Sequence, residues 1–425
     1  MYKNLKNKKL LLLGGINHAI EIIKTAQKMG VKVYVADYNQ NTQAKKLADK
    51  SFDISTTDID LLVDLCKKEN INGIITGFID SMLPYCEELC GRLNLPFWAN
   101  KDQINISINK NEFKKTCEKY NIPLAKDYSH MFHNNTFNDD DLSKIIYPVI
   151  VKPVDNSGSR GVYVCNNINE LRKNYIKALE FSKSKNVIVE QYLQGQHVNM
   201  YYTLINGNIY LSAMADRYVD NLDNDSAPLP VCLIHPSRYL SDYEKDIDKR
   251  IQYMMRALEM KNGLAFFQGF RCDDGNFYIY EMGYRLNGGG TYTLINECLN
   301  YNQLEMLIHY SLTGEMCNIE AFKAQKFSEF KKHGVNYVLS VKSGDIDSIE
   351  GLDELGKMPF IKNIVQVRFP GDKITGKGGS SQVIAYILFT IDKIEDINSY
   401  LDSIYNIVKI KNSNGNNLDI IKYYF

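Results

Sequence analysis

The sequence predicts a mixed chain: an α/β unit, then a central unit rich in hairpins, then a small α+β unit. Three observations carry this expectation. Strand and helix patterns alternate from residue 1 to about 105. From about 106 to 318, strand-length apolar runs are joined by short turns. From about 319 to 425, a few strands surround one helical stretch. At 425 residues the chain is too long for one core and calls for two to four domains.

Composition narrows the function classes. Hydrophobic residues make up 44% and charged residues 24%, as in soluble globular proteins. Lys+Arg and Asp+Glu number 50 each, so no net field draws the chain to nucleic acid or an anionic membrane. Nine cysteines lack metal-ligand spacing; Cys86 and Cys90 share a helix face without a following histidine and read as buried thiols. An odd count with no disulfide framework fits a reducing cytoplasm. The basic start followed by Leu10–Leu13 imitates a signal peptide, but the apolar run is too short for one and for a membrane span.

In the first unit, Leu10–Leu13 is a strand, Gly14-Gly15 a turn, and Ala19–Met29 a helix closed by Gly30. Val31–Ala36 is a strand, Ile59–Glu69 a helix, Gly73–Thr76 a strand and Leu83–Leu93 a helix. Such alternation argues for a parallel, Rossmann-like sheet. Gly14-Gly15-Ile16-Asn17-His18 does not spell the dinucleotide fingerprint, so a tight turn is supported and NAD binding is not. Gly14, Gly15, Asp37, Gly77 and Asp80 fall at strand C-termini, where ligands of such sheets bind.

In the central unit, Asn111–Tyr120 is helical and stops before Pro123. A hairpin at 149–164, a helix over Asn169–Ser182 and a strand over Val187–Glu190 follow. Asn206-Gly207 is a strong hairpin turn. Residues 216–240 read as a long polar, proline-bearing loop over the substrate. Tyr243–Met260 is a helix, and Leu264–Arg271 and Asn276–Glu281 are strands joined by Asp273-Asp274-Gly275. In the last unit, strands fall near Val335–Val341, Ile364–Arg368 and Val383–Thr390, with a helix near Ile394–Val408.

Three segments carry chemistry. In YPVIVKPVDNSGSRGVYV, from Tyr147 to Val164, a strand ends at Lys152 and a loop with two glycines and two serines follows. Backbone N–H groups of such a loop approach an anion without Cβ obstruction, and a lysine supplies a point charge for phosphate. Strands flank the loop on both sides, so it caps a hairpin above a nucleotide; a bland hairpin is the competing reading. Over Leu264–Gly290, two strands present Gln268 and Glu281, thirteen residues apart across a short turn. An amide oxygen beside a carboxylate suits Mg²⁺. Arg285 lies where the chain leaves the strand and suits a carboxylate or phosphoryl group. Over Val187–Met200, an apolar strand runs into Glu190-Gln191-Tyr192-Leu193 and a turn at Gly195 and His197. Backbone leaving a strand offers N–H and C=O groups to an adenine edge, with Glu190 near the exocyclic amine and His197 near ribose.

Set in order, these segments resemble the ATP-grasp superfamily, most closely the L-amino-acid ligases and the biotin carboxylase and carbamoyl phosphate synthetase group. The resemblance spans residues 8 to about 318 and implies three domains: a Rossmann-like unit over 1–105, an ATP-grasp domain over 106–318 with a lid subdomain over about 122–193, and a C-terminal domain over 319–425. By resemblance, Lys110 and Lys152 bind the ATP phosphates, with Lys152 and Arg285 taking part in catalysis. Ser157, Gly158, Ser159 and Gly161 belong to the glycine-rich loop. Glu190, Gln191 and Leu193 contact adenine, His197 contacts ribose, and Gln268 and Glu281 hold one or two Mg²⁺ ions. The activity implied is ATP-dependent ligation of a small carboxylate to an amine through an acyl phosphate, with no nucleic-acid or membrane partner and a homodimer as the expected assembly.

One departure stands out. Gly283 occupies the place of the family asparagine, removing an oxygen ligand that water, nucleotide or Asn287 would have to replace. This keeps open an ATP-binding protein that has lost catalysis; independently, the resemblance to carboxylases and carbamoyl phosphate synthetases leaves a bicarbonate-activating enzyme as the other alternative. Gly371–Gly378 nearly spells a Walker A loop, but Gly378 replaces the Ser/Thr and a strand, not a helix, follows.

Overall fold

The computed structural model describes residues 3–132, 139–155, 161–220, 229–317, 330–375 and 379–425. Ser157, Gly158 and Ser159 lie outside the described residues, as does the boundary expected at 318 to 319.

Strands β1 (Lys9–Leu13), β2 (Lys32–Ala36), β3 (Lys50–Phe52) and β4 (Gly73–Thr76) form a parallel sheet in the order β3-β2-β1-β4. All residues of β4, and all but the first of β1 and β2, are buried, as expected of a parallel sheet covered on both faces. The helices Ile59–Glu69 and Leu83–Leu93 match the sequence pattern, and each ends in a left-handed asparagine, Asn70 and Asn94. On one side of the sheet, β4 packs against the helix Gln303–Thr313 from the far end of the central unit. A Cβ on Gly73 would stand 2.2 Å from the Ser311 carbonyl oxygen, so the backbones themselves are in contact there.

Strands β5 (Val149–Pro153), β6 (Tyr163–Cys165) and β7 (Val187–Gln191) form a small antiparallel sheet in the order β6-β5-β7. The helix Ile168–Phe181 covers one face, and Val149, Val151, Leu171, Tyr175 and Val189 share a separate core.

Strands β8 (Gly195–Ile205), β9 (Asn208–Asp220), β10 (Leu229–His235), β11 (Gly263–Cys272), β12 (Phe277–Gly283) and β13 (His333–Ser340) belong to an eight-stranded sheet. Its order is β12-β11-β8-β9-β10-β13, followed by Val383–Ile391 and Ile361–Gln366. The β8–β9 turn has φ of 51° at Asn206 and 83° at Gly207, the left-handed pair that a two-residue hairpin demands. Sheet pairing continues from β10 into β13, so strands of the central and C-terminal segments share one sheet.

The expectation of a long loop at 216–240 is corrected. β9 runs to Asp220 and β10 occupies Leu229–His235, leaving only 221–228 undescribed. The run Val231-Cys232-Leu233-Ile234 is buried between β9 and β13, and Pro230 is accommodated beside a break in the β9–β10 register. The expected single helix over 243–260 is two, Leu240–Lys245 and Ile247–Ala257.

Gly73→Ala should test how tightly the parallel sheet is seated. Overpacking against a carbonyl costs about 1–3 kcal/mol, seen as a lower thermal midpoint by calorimetry; an unchanged midpoint would mean the helix yields.

Candidate active site

A cavity of about 350 Å³ lies between the small lid sheet and the β11–β12 edge of the large sheet. Lys110, Lys152, Glu190, Gln191, Leu193, His197, Gln268 and Glu281 all line it. Of the described residues expected to bind nucleotide or metal or to act in catalysis, Gly161 and Arg285 stand outside. Gly161 has φ +76°, and a Cβ there would meet the Phe181 side chain at 2.7 Å, so its requirement is conformational; its neighbour Val162 is the one that lines the cavity.

The register of β5 and β7 sets the charge pattern. Ile150 faces Glu190 and Lys152 faces Ile188, which puts Lys152 diagonal to Glu190 on one face. Lys152 Nζ stands 2.5 Å from Glu190 Oε2, and Lys114 Nζ pairs with both Glu190 and Asp127. Burial alone would push the Glu190 carboxyl up, but Lys152 and Lys114 outweigh it and hold the group below the usual carboxylate range. The two oxygens of the Glu190 carboxylate, expected near an adenine amine, each meet a lysine in this structure. Backbone is what the hinge offers. The Gln191 and Tyr192 N–H groups donate to Lys126 O and Pro148 O, both at 2.9 Å. The Leu193 N–H has no protein acceptor among the described residues and borders the cavity.

Lys110 opens the helix Lys110–Lys119, where the Asn109 side chain accepts from the N–H groups of Asn111 and Glu112. Burial lowers the Lys110 ammonium pKa, with the Glu281 charge acting against it. Lys114, one turn further on, reaches the same cavity. The sequence reading missed it, although its spacing from Lys110 was the available signal. Arg217, Phe270 and Tyr280 were also missed; they join the site only through the pairing of β8, β9, β11 and β12.

His197 faces Phe270 across β8 and β11, with ring centroids 4.3 Å apart. Its Nδ1 is buried without a partner among the described residues. Burial, then the Arg217 charge, brings its pKa down to about 4, so the ring is neutral near pH 7.

Gln268 and Glu281 owe their pairing to one extra residue. Arg271 faces Phe277, Phe270 faces Tyr278 and Gly269 faces Ile279, so a regular ladder would set Gln268 against Tyr280. Tyr280 is instead the bulged residue, and Gln268 faces Glu281. Gly269 permits the bulge, since a Cβ there would stand 2.7 Å from the Tyr278 carbonyl oxygen. Neither Gln268 nor Glu281 makes a side-chain hydrogen bond or ion pair among the described residues. A free amide oxygen opposite a free carboxylate fits a hard divalent cation.

Gly283 has a steric reason. It faces Phe266, and a Cβ at 283 would stand 2.3 Å from the Phe266 ring. An asparagine has no room there. Asn287 does not replace it, because its Oδ1 accepts from the Gly289 N–H at 3.0 Å.

Comparison with known proteins identifies two segments of the chain. Residues 145–293 match the family model of the ATP-grasp domain, and residues 10–91 match the PylC-like N-terminal domain. This chain carries an ATP-grasp domain. A formate-dependent phosphoribosylglycinamide formyltransferase of Sulfurisphaera tokodaii is 26% identical over 321 residues, covering 70% of this chain and 75% of that protein. Among solved structures, L-amino acid ligase from Bacillus licheniformis superposes with a TM-score of 0.76 at 20% identity, covering 96% of this chain and 99% of that one. Phosphoribosylglycinamide synthetase from Anaerococcus prevotii gives 0.74 at 19% identity, covering 96% and 100%. A biotin carboxylase domain from Hydrogenobacter thermophilus, with a TM-score of 0.74 at 16% identity and covering 97% of this chain and 91% of that one, is described in complex with MgADP.

All nine cysteines of the ATP-grasp chain are free thiols, seven of them buried. Among the described residues, no helix is long and apolar enough to cross a membrane. After Lys373–Ile374 and the undescribed residues 376–378, one short 3-10 helix, Gly379–Gln382, leads into the strand Val383–Ile391 and no α-helix opens there, in line with rejection of a Walker A loop.

Two predictions follow from this geometry. The His197 pKa is depressed in the folded chain, so any stability tied to the neutral ring is complete above about pH 6.5 and is lost as pH falls through about 4. ADP affinity, followed by calorimetry, should therefore show no His197 inflection between pH 8 and pH 6; one that His197→Asn abolishes would contradict the burial argument. Gly283→Asn should lower stability by about 1–3 kcal/mol, and adding Phe266→Ala should relieve the clash; thermal midpoints of the two variants check this.

Proposed function

We propose that this protein is an ADP-forming ligase that joins a small carboxylate to an amine, using ATP in the cavity under the lid. The observation that carries the reading is the convergence of two lysines, a backbone hinge, a neutral histidine and an uncommitted Gln268–Glu281 pair on one cavity. Lys110 and Lys152 neutralise the phosphates, and the Leu193 N–H faces the adenine edge. Gln268 and Glu281 hold Mg²⁺, which when bound neutralises the β- and γ-oxygens. Phosphoryl transfer needs positioning and charge more than covalent help, which suits such a site. A substrate carboxylate attacks the γ-phosphorus and ADP leaves; the amine then displaces phosphate from the acyl phosphate. The lid keeps water from hydrolysing that intermediate.

A second cavity, of about 660 Å³, supports two further substrates beside ATP. It lies at the C-terminal ends of β1 and β2 and is lined by Gly14, Gly15, His18, Asp37, Arg368 and Tyr386. We assign it to the carboxylate or the amine. The names of the relatives, a formate-dependent formyltransferase and an L-amino acid ligase, support small molecules in both roles. A homodimer in the cytoplasm is the proposed setting: a related biotin carboxylase domain is described as a dimer, and nine unpaired thiols suit a reducing compartment.

The deciding assay is ADP and phosphate release with Mg·ATP against pools of amino acids, dipeptides and small carboxylic acids, with mass spectrometry of products. Release that requires both a carboxylate and an amine, with a product lighter by one water, is the expected result. Release with bicarbonate alone would replace the reading. Lys152→Ala and Glu281→Ala should each lower turnover at least about a hundredfold; near-normal turnover of Glu281→Ala would remove it from the metal site.

A further inference from the structure

Arg285 is held by Asp80, one of the residues at the strand C-termini of the N-terminal unit. Its Nε donates to Asp80 Oδ1 at 2.6 Å and its Nη2 to Asp80 Oδ2 at 2.5 Å. Asp80 follows β4 in the N-terminal unit, 205 positions away in sequence. Nη1 donates to the Leu286 carbonyl at 3.0 Å, and the guanidinium carbon lies 5.0 Å from the centre of the Phe266 ring. The pair is sheltered, with the Arg285 side chain 12% exposed.

The edge that Asp80 takes matters. Nε and Nη2 form the lateral fork of a guanidinium, and a carboxylate there fixes the plane of the group. Three of the five N–H bonds are then used. Two remain, one on each terminal nitrogen, without protein acceptors among the described residues. Arg285 lines a small pocket together with Phe266, Asn287 and Tyr292, and follows by four residues Glu281, which lines the first cavity.

We propose that Asp80 is a positioning residue, through which the N-terminal unit aims the free N–H groups of Arg285 at the carboxylate undergoing phosphorylation. The inference rests on the ligase reading and deepens it. Asp80 takes no part in the bond changes. It holds a long side chain in one orientation, so that the charge is in place before the phosphoryl group moves. Phe266 serves the same end from the face of the guanidinium, which gives its intrusion at Gly283 a second consequence.

The test uses ADP, Mg²⁺ and aluminium fluoride as a mimic of the transferring phosphoryl group, so it does not depend on knowing the substrates. Arg285→Ala should leave ADP affinity unchanged and weaken retention of the ADP–aluminium fluoride complex about tenfold or more. Asp80→Asn should weaken it to a similar degree, Asp80→Glu should restore part, and Asp80→Asn with Arg285→Ala should be no worse than Arg285→Ala alone. Retention that is normal in Asp80→Asn but lost in Arg285→Ala overturns the proposal, as do losses that multiply in the double variant. A matching fall in ADP affinity and thermal midpoint in both Asp80→Asn and Asp80→Glu also overturns it, since that marks a purely structural tie. Absence of ADP binding to the unaltered protein would instead sink the ligase reading itself.

Discussion

The site is organised around a carboxylate that has been taken out of water. Glu190 is buried, and a buried charge without partners is untenable. Its two oxygens are met by Lys152 from the lid sheet and Lys114 from the helix Lys110–Lys119, with Asp127 balancing Lys114. Removing one partner of such a pair typically costs about 3–5 kcal/mol, whereas the intact pair contributes little net stability. Its value here is geometric. It ties lid, helix and hinge together and holds two ammonium groups beside the cavity before any nucleotide arrives. The hinge is then left to present backbone, which suits the flat edge of a base better than a mobile side chain.

A second constraint acts at the opposite wall. The β11–β12 edge departs from a regular ladder at Tyr280, and that departure brings Gln268 opposite Glu281. The same two strands bring Phe266 against Gly283. What looked in the sequence like a degraded ligand set is a packing solution: the volume of an asparagine side chain has been given to an aromatic ring, which also lies under Arg285. The Gln268–Glu281 pair and Arg285 are thus coupled through neighbouring residues of one strand pair.

Much of this was legible before the fold was known, and the reasons are local. Gly73–Thr76, Ile59–Glu69 and Leu83–Leu93 match their predicted bounds because apolar periodicity and caps lie within each segment. Asn206-Gly207 was legible because two left-handed residues permit few other structures. Residues 216–240 were misread because the polar stretch Asp216–Ser226 and the prolines Pro228 and Pro230 overshadow the short apolar run Val231–Ile234, whose place as a strand depends on β9 and β13 beside it. Lys114 was passed over because a surface lysine on a helix looks the same whether it faces solvent or Glu190.

Sequence alone determined the kinds of group available and their places along the chain: a lysine at the end of β5, an amide and a carboxylate on adjoining strands, an arginine just beyond. These follow from residue type and from strand and turn signals a few positions long. Tertiary structure decided what each group faces. The partners of Glu190, the bulge that pairs Gln268 with Glu281, the ring that forbids a side chain at Gly283 and the grip of Asp80 on Arg285 all depend on register and on contacts between distant segments. Register is set by the summed burial of whole sheets, which no short stretch of sequence contains.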